Sequence, residues 1–451
     1  MELKNKNVLL IGLAKTGVST IKTLSELGAK VSVNDIKKEE DLTDILYELK
    51  EIKNISYILG YHPENISDFD LVVVSPGVPL DLPFILKIKE SNTELIGEVE
   101  LAYRLNNSPL FIALTGTNGK TTTTSLTYEI FKKENKDCYK VGNIGNPVID
   151  TVKSTNKDSI LITELSSFQL ESIKEFRPKI SAILNFSEDH LNRHKTMQNY
   201  IDAKCNVYLN QDENDFCVLN YDDEVVRNLE SKIKSKVLFF STREKLEKGI
   251  YLEDDNIVIN LDQKTVLINK NEVRLCGEHN LQNILASTLI SYICGISLDS
   301  IKYTLKNFSG VEHRQEFVKE VNGIEFINDS KATNPDSSIK AVNSYNKEIV
   351  LILGGMDKES QFDELLDNCM GKVSSLVLLG ETKEKIKGEA TKKGFESIFV
   401  VNSMEEAVKT SYKVAKNGQI VLLSPSCASW DMYKNFEVRG NDFKENVYNL
   451  R

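Results

Sequence analysis

Short apolar runs alternate with helix-length amphipathic segments along nearly the whole chain. Runs at 8–11, 30–33, 56–59 and 71–74 read as strands, with helical periodicity between several of them. A second series follows at 110–114, 160–163, 180–184 and 217–219. Within it, 250–275 is strand-like with Asp, Asn and Lys turns, which predicts a small antiparallel patch beside the main sheet. A helical segment at 280–293 then resumes the alternation. The third series has strands at 324–327, 349–353, 376–379, 398–401 and 420–423 and closes with a helix at 436–450. Strands alternating with helices predict parallel sheets covered by helices on both faces, and exclude all-α and all-β folds. With 451 residues at about 150 per domain, the expectation is three α/β domains at 1–95, 96–310 and 311–451. All three are expected to be wound α/β units.

Charge and composition remove several function classes. Lys plus Arg is 56 against 66 for Asp plus Glu, so the net charge of −10 argues against nucleic acid as a partner. The longest uncharged stretch, 280–298, is broken by Asn, Gln, Ser and Thr, and no membrane span is expected. The opening MELKNKNVLLIGLAKTG has only a short apolar run followed by Lys15 and no small-residue cleavage site, so it reads as a buried strand and not a signal peptide. Seven cysteines without a CxxC pair fit neither a disulfide framework nor a structural zinc site. A soluble, cytoplasmic chain is expected.

The strongest local chemistry is LFIALTGTNGKTTTT, a strand running through a glycine turn into Lys120, Thr121 and a helix. Gly116 and Gly119 let backbone N–H groups close on phosphate oxygens, Lys120 supplies a point charge, and Thr121 offers a hydroxyl to Mg²⁺. Leu114 stands where the usual spacing has its first glycine, leaving the tighter GTNGKT. The plain alternative is a glycine turn before an ordinary helix. Glu164 ends the strand predicted at 160–163 and is the first candidate for a metal carboxylate, with helix capping as its ordinary role. LNFSEDHLNRH places Glu188, Asp189, His190, Arg193 and His194 together in a chain with five histidines. His190 and His194 have the spacing of a zinc helix, but Leu191 stands where a zinc protease needs Glu, so a hard-cation ligand or phosphate contact is favoured over zinc. Gly12-Leu-Ala-Lys-Thr-Gly17 with Asp35 matches a dinucleotide loop in outline. Ala14 replaces its middle glycine, however, and hinders the close approach of a pyrophosphate. In the third region Asp329, Lys331 and Thr333, then Lys358, then Ser426, Ser429 and Phe436 follow the carboxyl ends of predicted strands, the edge where wound sheets bind ligands. With 47 Lys against nine Arg, no single lysine there is telling; two lysines with several hydroxyls suit a small anion.

The order of these motifs resembles the Mur ligase family of peptidoglycan synthesis, which implies a Rossmann-like first domain, a phosphate-loop ATPase-like second domain and a doubly wound third. The carriers are GLAKTG, SPG at 75–77, GTNGKT, GNIG at 142–145, ELSSFQLE, EDHLNRH, YIDAK ending at Lys204, GEHNLQN, HRQE, INDSKATN, GGMDK, and SPSCAS followed by FEVRG. INDSKATN with SPSCAS, and the lack of a DNPR-like segment, favour the D-glutamate-adding branch over those adding L-alanine, a diamino acid or a dipeptide. The resemblance implies an ATP- and Mg²⁺-dependent ligase that joins D-glutamate to UDP-N-acetylmuramoyl-L-alanine through an acyl phosphate, acting as a monomer. It places the ATP phosphates on Gly116, Thr117, Asn118, Gly119, Lys120, Thr121 and Thr122, and further nucleotide contacts on Asn280, Asn283, Arg314 and Asp329. Thr121, Glu164, His190 and Lys204 would organise the metal, with Lys120, His190 and Lys204 as catalytic residues. Thr16 and Asp35 would face the uridine, Ser75 and Gly77 the diphosphate, and Asn143 the muramoyl-alanine arm; Lys331, Thr333, Lys358, Ser429 and Phe436 would bind D-glutamate. The family lysine matching Lys204 is carbamylated. A bare ammonium ~4 Å from a dication would be repelled by about 8 kcal/mol at an effective dielectric of ~20, and a carbamate reverses the sign. The rival from another class is a nucleotide-binding regulatory protein without turnover, against which Lys120, Glu164, His190 and Lys204 all count. A dehydrogenase is the remaining rival, disfavoured by Ala14.

Overall fold

A computed structural model describes residues 1–105, 110–275, 277–357 and 360–450. The chain divides into two compact units, Met1–Phe308 and Ser309–Arg451. The first unit holds two sheets. One consists of β1 (Asn7–Ile11), β2 (Lys30–Asp35), β3 (Ile55–Leu59), β4 (Leu71–Val74) and β5 (Glu94–Gly97), all parallel in the order β3-β2-β1-β4-β5. β1 and β4 are the most apolar because both their faces are covered, as wound sheets require.

The second sheet comprises β6 (Leu110–Thr115), β7 (Cys138–Gly142), β8 (Ile160–Glu164), β9 (Ile180–Ile183), β10 (Phe216–Asn220), β11 (Lys236–Ser241), β12 (Gly249–Glu253), β13 (Asn256–Asn260) and β14 (Lys264–Asn269). Its order is β14-β13-β12-β11-β10-β9-β6-β8-β7. β6 is almost wholly buried and parallel to both neighbours, β8 and β9. The antiparallel patch expected at 250–275 is real but is not a separate layer: β12 pairs parallel with β11, and β13 and β14 extend the same sheet by antiparallel hairpins.

The second unit contains β15 (Glu316–Val321), β16 (Ile324–Asn328), β17 (Ile349–Leu353), β18 (Val373–Leu378), β19 (Ile398–Val400) and β20 (Ile420–Leu423), ordered β15-β16-β20-β17-β18-β19. Only β15 is antiparallel, entering through a hairpin onto β16. The α/β class and the three wound sheets thus agree with the apolar pattern. Strands β5, β7, β11 and β15 are additions to it, and three of these are sheet edges, where half-solvated positions carry Glu, Lys and Tyr and blur the apolar run. Among the described residues no helix is long and apolar enough to cross a membrane.

Candidate functional site

In the nine-stranded sheet, β9, β6, β8 and β7 are adjacent and parallel, so the segments leaving their carboxyl ends are neighbours. Those segments are the phosphate loop after β6, Glu164 at the end of β8, the 185–194 segment after β9 and Asn143 after β7. Gly119 (φ 82°) precedes the helix Lys120–Lys133 in a left-handed conformation that favours glycine. A Cβ there would stand 2.2 Å from Asn283 Oδ1. Asn283 lies on the helix Glu278–Ile293 and accepts from Thr123 Oγ1 at 3.1 Å, which ties that helix to the loop's exit. Asn280 meets it at 3.3 Å through Asn283 Nδ2.

The loop is shaped by two residues that lie within the LNFSEDHLNRH and YIDAK segments but to which the sequence alone gives no role. Asn185 accepts from Asn118 N–H through Oδ1 at 2.8 Å and from Thr117 N–H through its carbonyl at 3.0 Å. Tyr200 Oη lies 3.0 Å from Thr117 Oγ1. Lys120 folds back to donate to the carbonyls of Gly116 and Thr117, both at 2.8 Å. Thr121 is buried at the first turn of the helix, and Thr122 is half-buried beside it.

Glu164 is buried and asymmetric. Oε1 accepts from Asn143 Nδ2 at 2.8 Å, while Oε2 is buried without a hydrogen-bond partner. An orphaned carboxylate oxygen next to a phosphate loop fits a hard divalent cation. Lys204, on the helix Met197–Cys205, is 2 % exposed and reaches Gly116 O at 2.9 Å and Thr115 Oγ1 at 3.4 Å. Burial first, and then the Lys120 charge, pull its pKa down to about 6. Its amine is therefore neutral at physiological pH. His190 is 49 % exposed, in a left-handed backbone conformation (φ 54°), with Asp189 Oδ2 3.7 Å from Nε2. His194 is buried instead, with Nε2 2.9 Å from Ser167 Oγ and Nδ1 3.4 Å from Glu171; burial lowers its pKa. Both its ring nitrogens are engaged, which removes the zinc-helix alternative. Among the described residues no three His, Cys, Asp or Glu side chains form a metal cluster.

At the first sheet, Asp35 leaves β2 and accepts from Leu13 N–H at 2.7 Å and Lys37 N–H at 2.9 Å, closing the Gly12–Gly17 loop from below. Ser75 donates to Gly12 O at 2.8 Å. A Cβ on Gly17 would strike Gly12 O at 2.4 Å, so that glycine serves tight loop–helix packing, while Gly77 faces open space. Thr16 sits in the first turn of the helix Lys15–Glu26, half-buried, with its carbonyl accepting from Thr20. The two sites of this unit touch: Arg193 donates to Val78 O at 3.0 Å, beside the Ser75–Gly77 turn.

In the second unit β16, β20 and β17 are adjacent, so their ends bring INDSKATN, SPSCAS and GGMD together. Asp329 is buried, accepting from Ser424 Oγ at 2.8 Å and Gln315 N–H at 3.1 Å, and burial pushes its pKa up to about 7. Lys331 and Thr333 lie half-buried on the same segment, and the backbone N–H of Lys331 donates to His313 O. Ser429 is buried, and Phe436 opens the helix Phe436–Tyr448 with its ring 6.1 Å from that of His313. Arg314 is half-buried just before β15, and Ser426 is buried in a left-handed conformation (φ 62°). Lys358 lies outside the described residues. Arg439 stands within the FEVRG segment, but the sequence alone gives it no role. Fully buried, it donates to Ser330 O at 2.8 Å, Ser330 Oγ at 3.0 Å and Cys427 O at 3.0 Å, bracing the INDSKATN and SPSCAS segments against each other.

These features define a phosphate-loop α/β enzyme architecture flanked by a wound sheet on either side in sequence. Family models match in the same order: the Mur ligase MurD-like N-terminal domain at residues 6–97, the Mur ligase middle domain at 114–291, and the Mur ligase glutamate ligase domain at 313–427. The chain is 61% identical over 451 residues to a UDP-N-acetylmuramoylalanine--D-glutamate ligase of Clostridioides difficile (strain 630), covering 100% of each. It is 50% identical over 455 residues to one of Alkaliphilus oremlandii (strain OhILAs), again covering 100% of each. Among solved structures, the UDP-N-acetylmuramate-alanine ligase MurC of Thermotoga maritima shares the fold with a TM-score of 0.57 at 18% identity, covering 99% of this chain and 100% of that one. MurF ligase of Thermotoga maritima in complex with ADP does so with a TM-score of 0.56 at 16% identity, covering 93% and 95%. The chain belongs to the Mur ligase family.

Proposed function

We infer that this chain is an ATP-dependent ligase forming the amide bond between D-glutamate and UDP-N-acetylmuramoyl-L-alanine in peptidoglycan precursor synthesis. The observation that carries it is full-length identity of 61% to a ligase of that name, together with an intact phosphate loop. A free carboxylate is a poor electrophile, so the alanyl carboxylate is first phosphorylated: its oxygen bonds to the γ-phosphorus of ATP as the bond to the β-phosphate oxygen breaks. The amine of D-glutamate then attacks the acyl carbon, phosphate departs with its electron pair, and the nitrogen loses a proton.

In this reading the N–H groups of Gly116–Thr122 cradle the phosphates, and Lys120 leaves its loop carbonyls to meet the negative charge crowding the transferred group. Asn280 and Asn283, and separately Arg314 and Asp329, are the further nucleotide contacts of this reading. Bound magnesium would be held by Glu164 with Thr121, His190 and carbamylated Lys204, supplying positive charge at the phosphoryl oxygens. Thr16, Asp35, Ser75 and Gly77 bind the UDP moiety and Asn143 the muramoyl-alanine arm. Lys331, Thr333, Lys358, Ser429 and Phe436 receive D-glutamate, lysine and hydroxyl groups being apt partners for its carboxylates. The chain acts as a monomer in the cytoplasm.

The test is phosphate release from ATP and Mg²⁺ with UDP-N-acetylmuramoyl-L-alanine, comparing D-glutamate, L-glutamate, L-alanine and a diamino acid. Release dependent on D-glutamate, with a matching amide product, is expected. Release with another amino acid moves the chain within its family, and none at all refutes the catalytic reading.

A further inference from the structure

The loop that carries Asn143 and the short helix Val148–Val152 that follows it are held at three points by helices flanking the first sheet. Lys15 Nζ donates to Gly145 O at 3.2 Å, Ser19 Oγ to Asp150 Oδ2 at 2.6 Å, and Ile149 N–H to Glu98 Oε1 at 2.6 Å. Glu98 is the unexpected member. It opens the helix Glu98–Leu105 directly after β5, is 2 % exposed, and its second oxygen, Oε2, is buried without a hydrogen-bond partner. Burial pushes its pKa up to about 7, opposed by the Ile149 N–H and reinforced by the Asp150 charge. A half-satisfied buried carboxyl group costs stability that an apolar side chain would not, so its presence calls for a use.

The use is visible one step along the chain. From Ile149 the backbone runs back through Pro147 and Gly145 to Asn143, whose N–H donates to Glu164 O at 2.8 Å and whose side-chain amide holds Glu164 Oε1 at 2.8 Å. Gly145 (φ 72°) admits no side chain, because a Cβ would lie 2.5 Å from Lys140 O, and Gly142 N–H closes the turn on Asn146 O at 2.9 Å. The loop is thus compact, and displacement at Ile149 is passed to Asn143 instead of being absorbed. We propose that Glu98 is a positioning residue: by anchoring Ile149 N–H it sets the placement of the Asn143 amide, and through it the carboxylate of Glu164, relative to the arm of the UDP-linked substrate. The proposal rests on the functional reading above.

Full-length E98A and E98Q, with the wild type, test it by two independent readouts. Hydrogen exchange by mass spectrometry compares peptides spanning 142–152 with those spanning 114–126. Steady-state kinetics compares KM for UDP-N-acetylmuramoyl-L-alanine with KM for ATP. E98A should speed exchange across 142–152 by ~10-fold and raise the substrate KM by ~10-fold, the loss of one hydrogen bond to a charged partner, with ATP KM changed less than about 2-fold. E98Q retains an acceptor oxygen and should restore both. Unchanged exchange in E98A overturns the proposal, as does faster exchange with an unchanged substrate KM, or a parallel rise of both KM values. If E98A does not fold, E98D, one methylene too short to reach Ile149, carries the same expectations. A wild type that releases no phosphate refutes the functional reading alone, and the exchange comparison then decides whether Glu98 holds the loop.

Discussion

Carbamylation of Lys204 is open to a quantitative test because only the neutral amine reacts with CO₂. At pH 7.5 an ordinary lysine, with a pKa near 10.5, is neutral about one part in a thousand. Lys204, brought down to about 6, is neutral almost entirely. The reactive form is therefore enriched about 10³-fold, equivalent to ~4 kcal/mol. Reaction forms an N–C bond and releases one proton, converting the amine into an anionic carbamate next to the orphaned oxygen of Glu164. Titrating the protein with ¹³C-bicarbonate and following the carbamate by NMR should give a signal that rises with pH with a midpoint near 6. Lys120→Met removes the second cause of the depression, so its midpoint should move to higher pH. The same shift has a stability signature. The folded chain binds fewer protons than the unfolded between about 6 and 10.5, so the contribution of Lys204 rises with pH across that window and is most unfavourable below it. Phosphate release should fall on exhaustive removal of CO₂ and return on adding bicarbonate. A midpoint near 10, or full activity in CO₂-free buffer with no carbamate signal, would refute the reasoning.

Four further outcomes are expected. Gly119→Ala introduces a Cβ 2.2 Å from Asn283 Oδ1 at a positive φ that costs about 1–2 kcal/mol, so ATP affinity measured by calorimetry should drop by at least ~10-fold. Glu164→Gln keeps the shape but loses the anionic oxygen; the Mg²⁺ concentration for half-maximal phosphate release should rise ~10-fold or more, with metal-free nucleotide binding little altered. Asp329 has its pKa raised from 3.8 to about 7, so the folded chain is the better proton binder between those values and stability falls as pH rises through them; Asp329→Asn should flatten that part of a Tm-against-pH curve. Arg439→Ala removes three buried hydrogen bonds from a charged donor and should cost roughly 3 kcal/mol of unfolding free energy, seen as a lower denaturant midpoint for the second unit.

What could be read in the sequence follows a physical division between local and distant interactions. Central strands such as β6, β17 and β20 are buried on both faces, so their apolar runs announce them; the half-solvated edge strands β7 and β15 do not, whereas the edge strands β3 and β19 stay apolar enough in sequence to be read. The phosphate loop was legible because its glycines, lysine and threonine act within a single turn. Glu164 was legible as a polar residue ending an apolar run, but its orphaned oxygen depends on Asn143, which lies 21 residues earlier. Asn185, Tyr200 and Arg439 lie inside motif segments and Glu98 outside them, but the role of each comes from a partner brought near only by the fold. An asparagine closely following an apolar strand, as at Asn185, is the local signal that accompanies the loop contact.

The shape of the phosphate loop, in contrast to its composition, is a property of chain that follows it. Asn185, Tyr200 and Asn283 hold Asn118, Thr117 and Thr123 from 67, 83 and 160 residues further on. During synthesis the GTNGKT segment therefore leaves the ribosome long before anything can mould it, and contacts of such sequence separation form late and slowly. A nascent chain halted before Asn283 would carry every residue of the nucleotide motif and lack its architecture. ATP binding thus serves as a reporter of completed folding of the first unit, and a ligand that selects only the finished fold stabilises it by mass action as soon as it appears.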